Sequence, residues 1–322
     1  MPEKLKTRKK LERWVVRRAL AGALLLTRLF PLRSIGRLSR MMADLGYHLV
    51  SRNRKLALAN LSLVYGRTKS PQEIREMARE VVRFGARCAF ELMLYYGRGT
   101  LKDACKLVTE AEGLERLHEA LRKKKGVIGL SAHLGNFVIL GSKLTSLGYP
   151  CAAIMRQMRD EQLEQIFTEI RQEIRQVTFP KFPLSRSVRQ SLRWLSEGKT
   201  LAIYIDQRSK SGALVDFLGL PTCTAAGAAF FALKSKAPVL PMFVIQRDDG
   251  YYKLMVGPEV EVIDTGNLKA DSYTNTARFA KVVESYIRQY PTQWFWFDNR
   301  WKRLHKSRRS YPRGNAVSRE RA

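Results

Sequence analysis

From residue 126 onward the chain alternates short, almost wholly apolar runs with longer segments of helical periodicity. That rhythm limits the possible folds more than any other feature. Residues 127–132 (VIGLSA), 151–155, 177–180, 200–205 (TLAIYI) and 238–246 each read as a strand, and 251–262 as a further strand or hairpin partner. Runs this short and this continuously apolar suit parallel strands buried on both faces. Between them the spacing predicts helices near 112–124, from Asn136 to Leu147, and over 160–175, 186–197, 225–236 and 272–290. We expect an α/β fold: a mostly parallel central sheet with helices on both faces.

Ahead of this rhythm the pattern is helical. Leu38, Met41, Met42, Leu45 and Leu49 fall roughly at i, i+3, i+4 spacing. Ser70-Pro71-Gln72-Glu73 combines a Ser cap, a Pro at the first helical position and a Glu at the third, and predicts a helix start. That helix runs to about Tyr95, before Gly97, Gly99 and Thr100 break it. The expected organisation is an N-terminal helical, membrane-associating arm over 1–105, an α/β domain over 106–305 and a basic flexible tail over 306–322.

Charge narrows the partners. The 322 residues carry a formal net charge of +29, concentrated at the ends. Residues 1–60 hold 15 Lys/Arg against three acids, and residues 300–322 hold nine against one. Such a balance favours polyanions: an anionic membrane, a nucleic acid or an acidic carrier protein. No zinc-finger, RNP, KH or helix-turn-helix signature supports nucleic acid. The segment Trp14 to Phe30 (WVVRRALAGALLLTRLF) has a longest charge-free run of nine residues, Ala19 to Thr27. That is short of the roughly 20 needed to span a bilayer. Flanked by Arg17, Arg18, Arg28, Arg33 and Arg37, it suits a helix lying in the membrane interface; a core-packing helix is the alternative. The four cysteines show neither CxxC nor metal-ligand spacing, so neither disulfide nor zinc is expected.

Candidate chemistry collects where predicted strands end. His133 follows the strand at 127–132, and in open α/β sheets sites lie beyond the carboxyl ends of strands. Histidine suits proton transfer near neutral pH. Gly135 and Asn136 are expected to open a helix whose backbone N–H groups meet developing negative charge. A capping or core histidine is the bland alternative. Asp206 and Gln207 follow the strand at 200–205, where Asp206 can orient a base, bind a polar head group or simply cap a turn. Arg156, directly after 151–155, can hold a phosphate or carboxylate, or remain solvated. In 293–302 (QWFWFDNRWK) aromatics flank Asp298 and Arg300; this is core, or an interfacial anchor with Arg300 and Lys302.

Together these segments resemble the lipid A biosynthesis acyltransferases, the lauroyl/myristoyl branch of the lysophospholipid acyltransferase superfamily. The resemblance covers about residues 10–303. His133-Leu134-Gly135-Asn136-Phe137 is similar to the family's HxGNW. Asp206-Gln207 through Phe217-Leu218-Gly219-Leu220-Pro221-Thr222-Cys223-Thr224 to Gly227 is similar to its DQ…FFGxPAxT…G block. Pro238-Val239-Leu240-Pro241 and the PTQW…RWK of 291–302 match its later signatures. The resemblance implies a glycerol-phosphate-acyltransferase-like fold, an acyl-ACP or acyl-CoA co-substrate with no cofactor or metal, and a hydroxyl acceptor on a membrane lipid. A lipid A precursor would be the default acceptor, at the cytoplasmic face of a bacterial inner membrane. It implies His133 as general base, with Asn136, Arg156, Gln207 and Arg300 on the substrate side. One departure matters. The family places an acid five residues after its His, and here that residue is Val138. Either Asp206 or Asp298 substitutes, or the chain is a catalytically weak or inactive lipid-binding relative.

Overall fold

The computed structural model describes residues 51–97, 105–158, 160–173 and 175–302, together with Arg18, Gly22 and Met41. Apart from those three residues, the segment Trp14 to Phe30 and the 36–50 stretch lie outside the described residues, as does the tail over 306–322.

Two helices come first, α1 (Ser51–Tyr65) and α2 (Pro71–Gly97). The start of α2 is the capping box read in the sequence: Glu73 N–H donates to Ser70 Oγ at 3.2 Å, and Ser70 N–H donates to Glu73 Oε2 at 2.7 Å. The α/β portion then runs β1 (Val108–Glu112), α3 (Leu114–Arg122), β2 (Val127–Ser131), a 3₁₀ turn (Phe137–Ile139), α4 (Leu140–Ser146), β3 (Cys151–Met155), α5 (Glu161–Glu173), β4 (Val177–Pro180), α6 (Leu184–Ser196) and β5 (Thr200–Tyr204). It continues with β6 (Arg208–Phe217), β7 (Leu220–Thr224), α7 (Gly227–Ser235), β8 (Val239–Gln246), β9 (Tyr252–Val256), α8 (Leu268–Gln289) and a 3₁₀ turn (Pro291–Gln293).

Seven strands form one sheet in the order β1-β9-β8-β2-β5-β3-β4. Strands β8, β2, β5, β3 and β4 are mutually parallel; β9 runs antiparallel to β8, and β1 parallel to β9. All five residues of β2 are buried, as expected of a central strand covered on both faces. Side chains alternate between two cores. Ile128, Leu130, Leu201, Ile203, Val239, Phe243 and Ile245 face one side, with residues of α1, α2, α6, α7 and α8. Val127, Ala202, Leu240, Met242 and Val244 face the other, with Phe90 of α2, Leu117 of α3 and Leu140 and Leu144 of α4.

Several features differ from or add to the sequence reading. The division near residue 105 is not a packing boundary: Ala57, Leu61, Ile74, Ala78 and Val81 share the core of the sheet. Strand β1 lay outside the reading because VTEAE buries only Val108. The helix expected from Asn136 to Leu147 begins as a 3₁₀ turn that Asn136 caps, and becomes α only at Leu140. Finally, β6 and β7 form a separate two-stranded hairpin. Its turn places Leu218 at φ 55° and Gly219 at φ 79°. This is a primed turn with Leu where Asn or Asp usually signals one. No helix among the described residues is long and apolar enough to cross a membrane.

Candidate active site

The site follows from strand register. β2 pairs in parallel with β5 from Val127↔Thr200 to Ser131↔Tyr204. The ladder continues with Ile205 N–H donating to Ser131 C=O at 3.2 Å. Two residues beyond each paired end stand His133 and Asp206, side by side at the carboxyl edge of the sheet, where adjacent strands lie about 4.8 Å apart.

Asp206 is buried, and donors surround its carboxylate. Oδ1 faces His133 Nδ1 at 2.9 Å. Oδ2 accepts from the His133 backbone N–H at 2.8 Å and from the Trp294 indole N–H at 2.8 Å. The Asp206 backbone carbonyl accepts from the Arg300 guanidinium, whose other arm donates to Thr224 Oγ1 at 2.9 Å. An ionised Asp206 fixes the Nδ1–H tautomer of the ring, which leaves the Nε2 lone pair pointing outward. There the Gln207 side-chain amide approaches to 3.2 Å and can donate to it.

Two opposing effects set the charges of this pair. Burial disfavours the imidazolium, yet the adjacent Asp206 carboxylate and its hydrogen bond outweigh burial and hold His133 above its ordinary value. Burial likewise pushes Asp206 up; the His133 ring and backbone N–H and the Trp294 indole overcome it and keep Asp206 below the ordinary carboxylate value. The ring sits among aromatics, with Phe137 edge-on at 4.6 Å, Tyr204 at 5.3 Å and Phe295 at 6.2 Å between centroids. The His133 side chain is nonetheless 19% exposed, against 2% for Asp206. A base with one open edge in an apolar collar can take a proton from a hydroxyl while excluding most water.

The C-terminal segment closes the site from above. Leu134 and Trp294 form an antiparallel bridge. Phe295 N–H donates to His133 C=O at 2.9 Å, and Gly135 N–H donates to Gln293 C=O at 2.9 Å. Asn60 of α1 holds this segment by donating to the carbonyls of Trp296 and Asp298 at 2.8 and 2.9 Å. Gly135 is required here. Its φ is +64°, and a Cβ would stand 1.9 Å from the Val244 carbonyl oxygen.

The remaining candidates fall elsewhere. Asp298 accepts from the Arg208 backbone N–H at 2.9 Å and has no hydrogen bond to His133, so the carboxylate on the ring is Asp206. Val138 lies within the 3₁₀ turn and brings no acid to the ring. Arg300 is buried, with its guanidinium 4.0 Å over the Phe217 ring; it braces the Asp206 backbone instead of facing a substrate or a membrane. Burial lowers its pKa to about 10, which leaves it charged at neutral pH. Asn136 is also buried; its amide points at Glu91, 3.5 Å away, beside the Tyr252 hydroxyl. Its backbone N–H, expected to meet developing charge, is spent on the Val244 carbonyl at 2.8 Å, as that of Gly135 is on Gln293. Arg156 is exposed beyond β3, two strands from β2. The sequence reading did not single out Trp294, Thr224, Asn60 or Tyr204. The Trp294 indole carried a usable signal, since a buried N–H must find an acceptor.

The sequence was compared with known proteins. Over 279 residues the chain is 22% identical to a lipid A biosynthesis acyltransferase of Haemophilus influenzae, covering 85% of this chain and 83% of that protein. Over 204 residues it is 26% identical to a phosphatidylinositol mannoside acyltransferase of Mycobacterium tuberculosis. That match spans 62% of this chain and 62% of the relative's length. The family model for bacterial lipid A biosynthesis acyltransferases matches residues 1–303. With a match over nearly its whole length, the chain belongs to the bacterial lipid A biosynthesis acyltransferase family.

Proposed function

We propose that this protein transfers a fatty acyl group from an acyl thioester, carried on acyl carrier protein or coenzyme A, to a hydroxyl of a membrane lipid. The observation that carries the reading is the Asp206–His133 pair, with Nδ1 anchored and Nε2 turned to the open edge. The acceptor hydroxyl takes the place of the Gln207 amide at Nε2 and gives up its proton there. Its oxygen attacks the thioester carbonyl, and Asp206 stabilises the imidazolium that forms. As the tetrahedral intermediate collapses, the C–S bond breaks and the imidazolium returns the proton to the leaving thiolate. Ester and free thiol are released.

A lipid A precursor is the acceptor we propose, at the cytoplasmic face of the inner membrane. The matched family and the Haemophilus relative support it. A mannosylated phosphatidylinositol is the second candidate, on the strength of the mycobacterial relative. The Asp206 carboxylate beside the ring supports the active reading over that of an inactive lipid-binding relative, in which Val138 leaves the family acid missing.

The test is acyl transfer by the full chain, supplied with acyl-ACP and lipid acceptor. His133→Ala should abolish turnover. Asp206→Asn should lower kcat by on the order of 10³–10⁴, as loss of an orienting carboxylate does. Asp298→Asn should stay within about tenfold of the parent, since it weakens a backbone contact and removes only the smallest of the charge effects on His133. Transfer at the parent rate by His133→Ala would overturn the reading.

A further inference from the structure

The carboxyl edge of the sheet carries a second feature, beyond β3 and β4 and away from the dyad. Lys181 N–H donates to the Met155 carbonyl at 2.7 Å and ties the two loops together. From them project Met155, Met158, Phe182 and Leu184, the last two 59% and 61% exposed. Large apolar side chains clustered at this exposure are uncommon on a free surface.

Between them stand Arg156, Lys181, Arg186 and Arg189, all exposed. None forms an ion pair among the described residues. Neither 155–158 nor 181–190 contains an Asp or Glu. Of the acids that follow in sequence, Asp160 and Glu164 cap backbone N–H groups, and Glu164 also pairs with Arg171 at 2.6 Å; Glu161 stands exposed at the start of α5.

We infer that this edge is the surface by which the protein docks on an anionic bilayer. The inference rests on the membrane-lipid acceptor proposed above and adds the surface that meets the lipid. Apolar side chains enter the acyl boundary while interleaved cations meet lipid phosphates. An acidic protein partner would satisfy the cations but leave the apolar set unexplained. The geometry also serves the chemistry. The parallel strands β2, β5, β3 and β4 all end at this edge, so the open side of His133 faces the same way as the docking residues. Phe295, partly exposed beside the ring, adds an apolar side chain at the site itself. A lipid hydroxyl would reach Nε2 without leaving the interface.

The test uses the full chain, without acyl donor, and sedimentation with vesicles of phosphatidylglycerol and phosphatidylcholine in equal parts, against phosphatidylcholine alone. Phe182→Ser/Leu184→Ser should weaken partitioning tenfold or more at an unchanged melting temperature. If the double variant melts early, Leu184→Ser alone serves. Arg156→Gln/Lys181→Gln/Arg186→Gln should cost roughly fivefold per cation on anionic vesicles, and less as salt rises. Lys124→Gln/Lys125→Gln, at the opposite edge of the sheet, should change little. An indole introduced by Phe182→Trp should be quenched by brominated acyl chains beyond the parent's own signal. Partitioning equal to the parent by the Ser variants, or equal per-cation losses from both edges, overturns the inference. So does a triple variant that loses capture of acyl carrier protein but not of vesicles. Because no acyl transfer is measured, failure here leaves the catalytic reading intact, and failure of the dyad variants leaves this one intact.

Discussion

At the scale of single residues, the Asp206–His133 pair makes a signed prediction about pH. In the proposed reaction His133 acts as neutral imidazole, and Asp206 holds its pKa above the ordinary 6.5. The acid limb of kcat/KM should therefore lie above that value. In Asp206→Asn that carboxylate is gone and burial is opposed only by the smaller effect of Asp298, so the limb should move to lower pH as the rate falls. An unmoved limb would mean that another group titrates. For stability the signs are opposite for the two partners. His133, raised, contributes fully below about 6.5 and loses its contribution as pH rises through the folded value. Asp206, lowered, contributes above about 3.8 and loses its contribution as pH falls through its folded value. Gln207 gives a second test. Its amide covers Nε2 in the free protein, and a bond of that kind is worth about 0.5–1.5 kcal/mol. Gln207→Ala should therefore let diethyl pyrocarbonate modify His133 about three- to tenfold faster. Equal rates would show that the amide leaves the ring free in solution. His133 and Asp206 were legible in the sequence, because each follows an apolar run that ends at one edge. Their pairing needed register, which only the folded sheet supplies. The bracing role of Arg300 was hidden by the exposure usually expected of arginine.

Among elements, legibility followed burial. β2, β3, β4, β5 and β8 are short apolar runs and were read within a residue or two at either end. β1 exposes four of its five residues and offered no such run. The β6–β7 hairpin was concealed by a turn without Asn or Asp, and its contacts are distant in sequence: Arg300 bonds Thr224, and Asp298 bonds Arg208. The junction after β2 is the tightest of these features. Gly135 brings the backbone against β8, which lets Asn136 N–H reach Val244 and Gly135 N–H reach Gln293. Gly135→Ala meets both a positive φ and a backbone oxygen well inside contact distance. We expect a loss of about 3 kcal/mol or more in denaturant unfolding. His133 should be displaced as well, so activity should fall further than the lost stability explains. A variant with parent stability would show that the junction can relax.

Over the whole molecule, the first two described helices pack into the cores of the sheet. Ala57 and Leu61 of α1 pack in the same cluster as the central strands, and Asn60 binds the segment that carries Trp294. Period and charge can mark such helices as amphipathic, but they do not say which surface the apolar side meets. The +29 charge was legible as a preference for polyanions; which edge uses it depended on seeing which cations find acids within the fold. The β2–β5 register has one more consequence. The two halves of the dyad belong to neighbouring strands, and no local loop holds them together once those strands separate. Catalysis is thus a gauge of the sheet's midline: heat or denaturant that parts β2 from β5 silences the enzyme at that moment, even while peripheral helices persist. Loss of turnover should then track loss of amide-exchange protection in Ile128–Leu130 and Leu201–Ile203, and activity outlasting that protection would mean the dyad is held by something other than its strands.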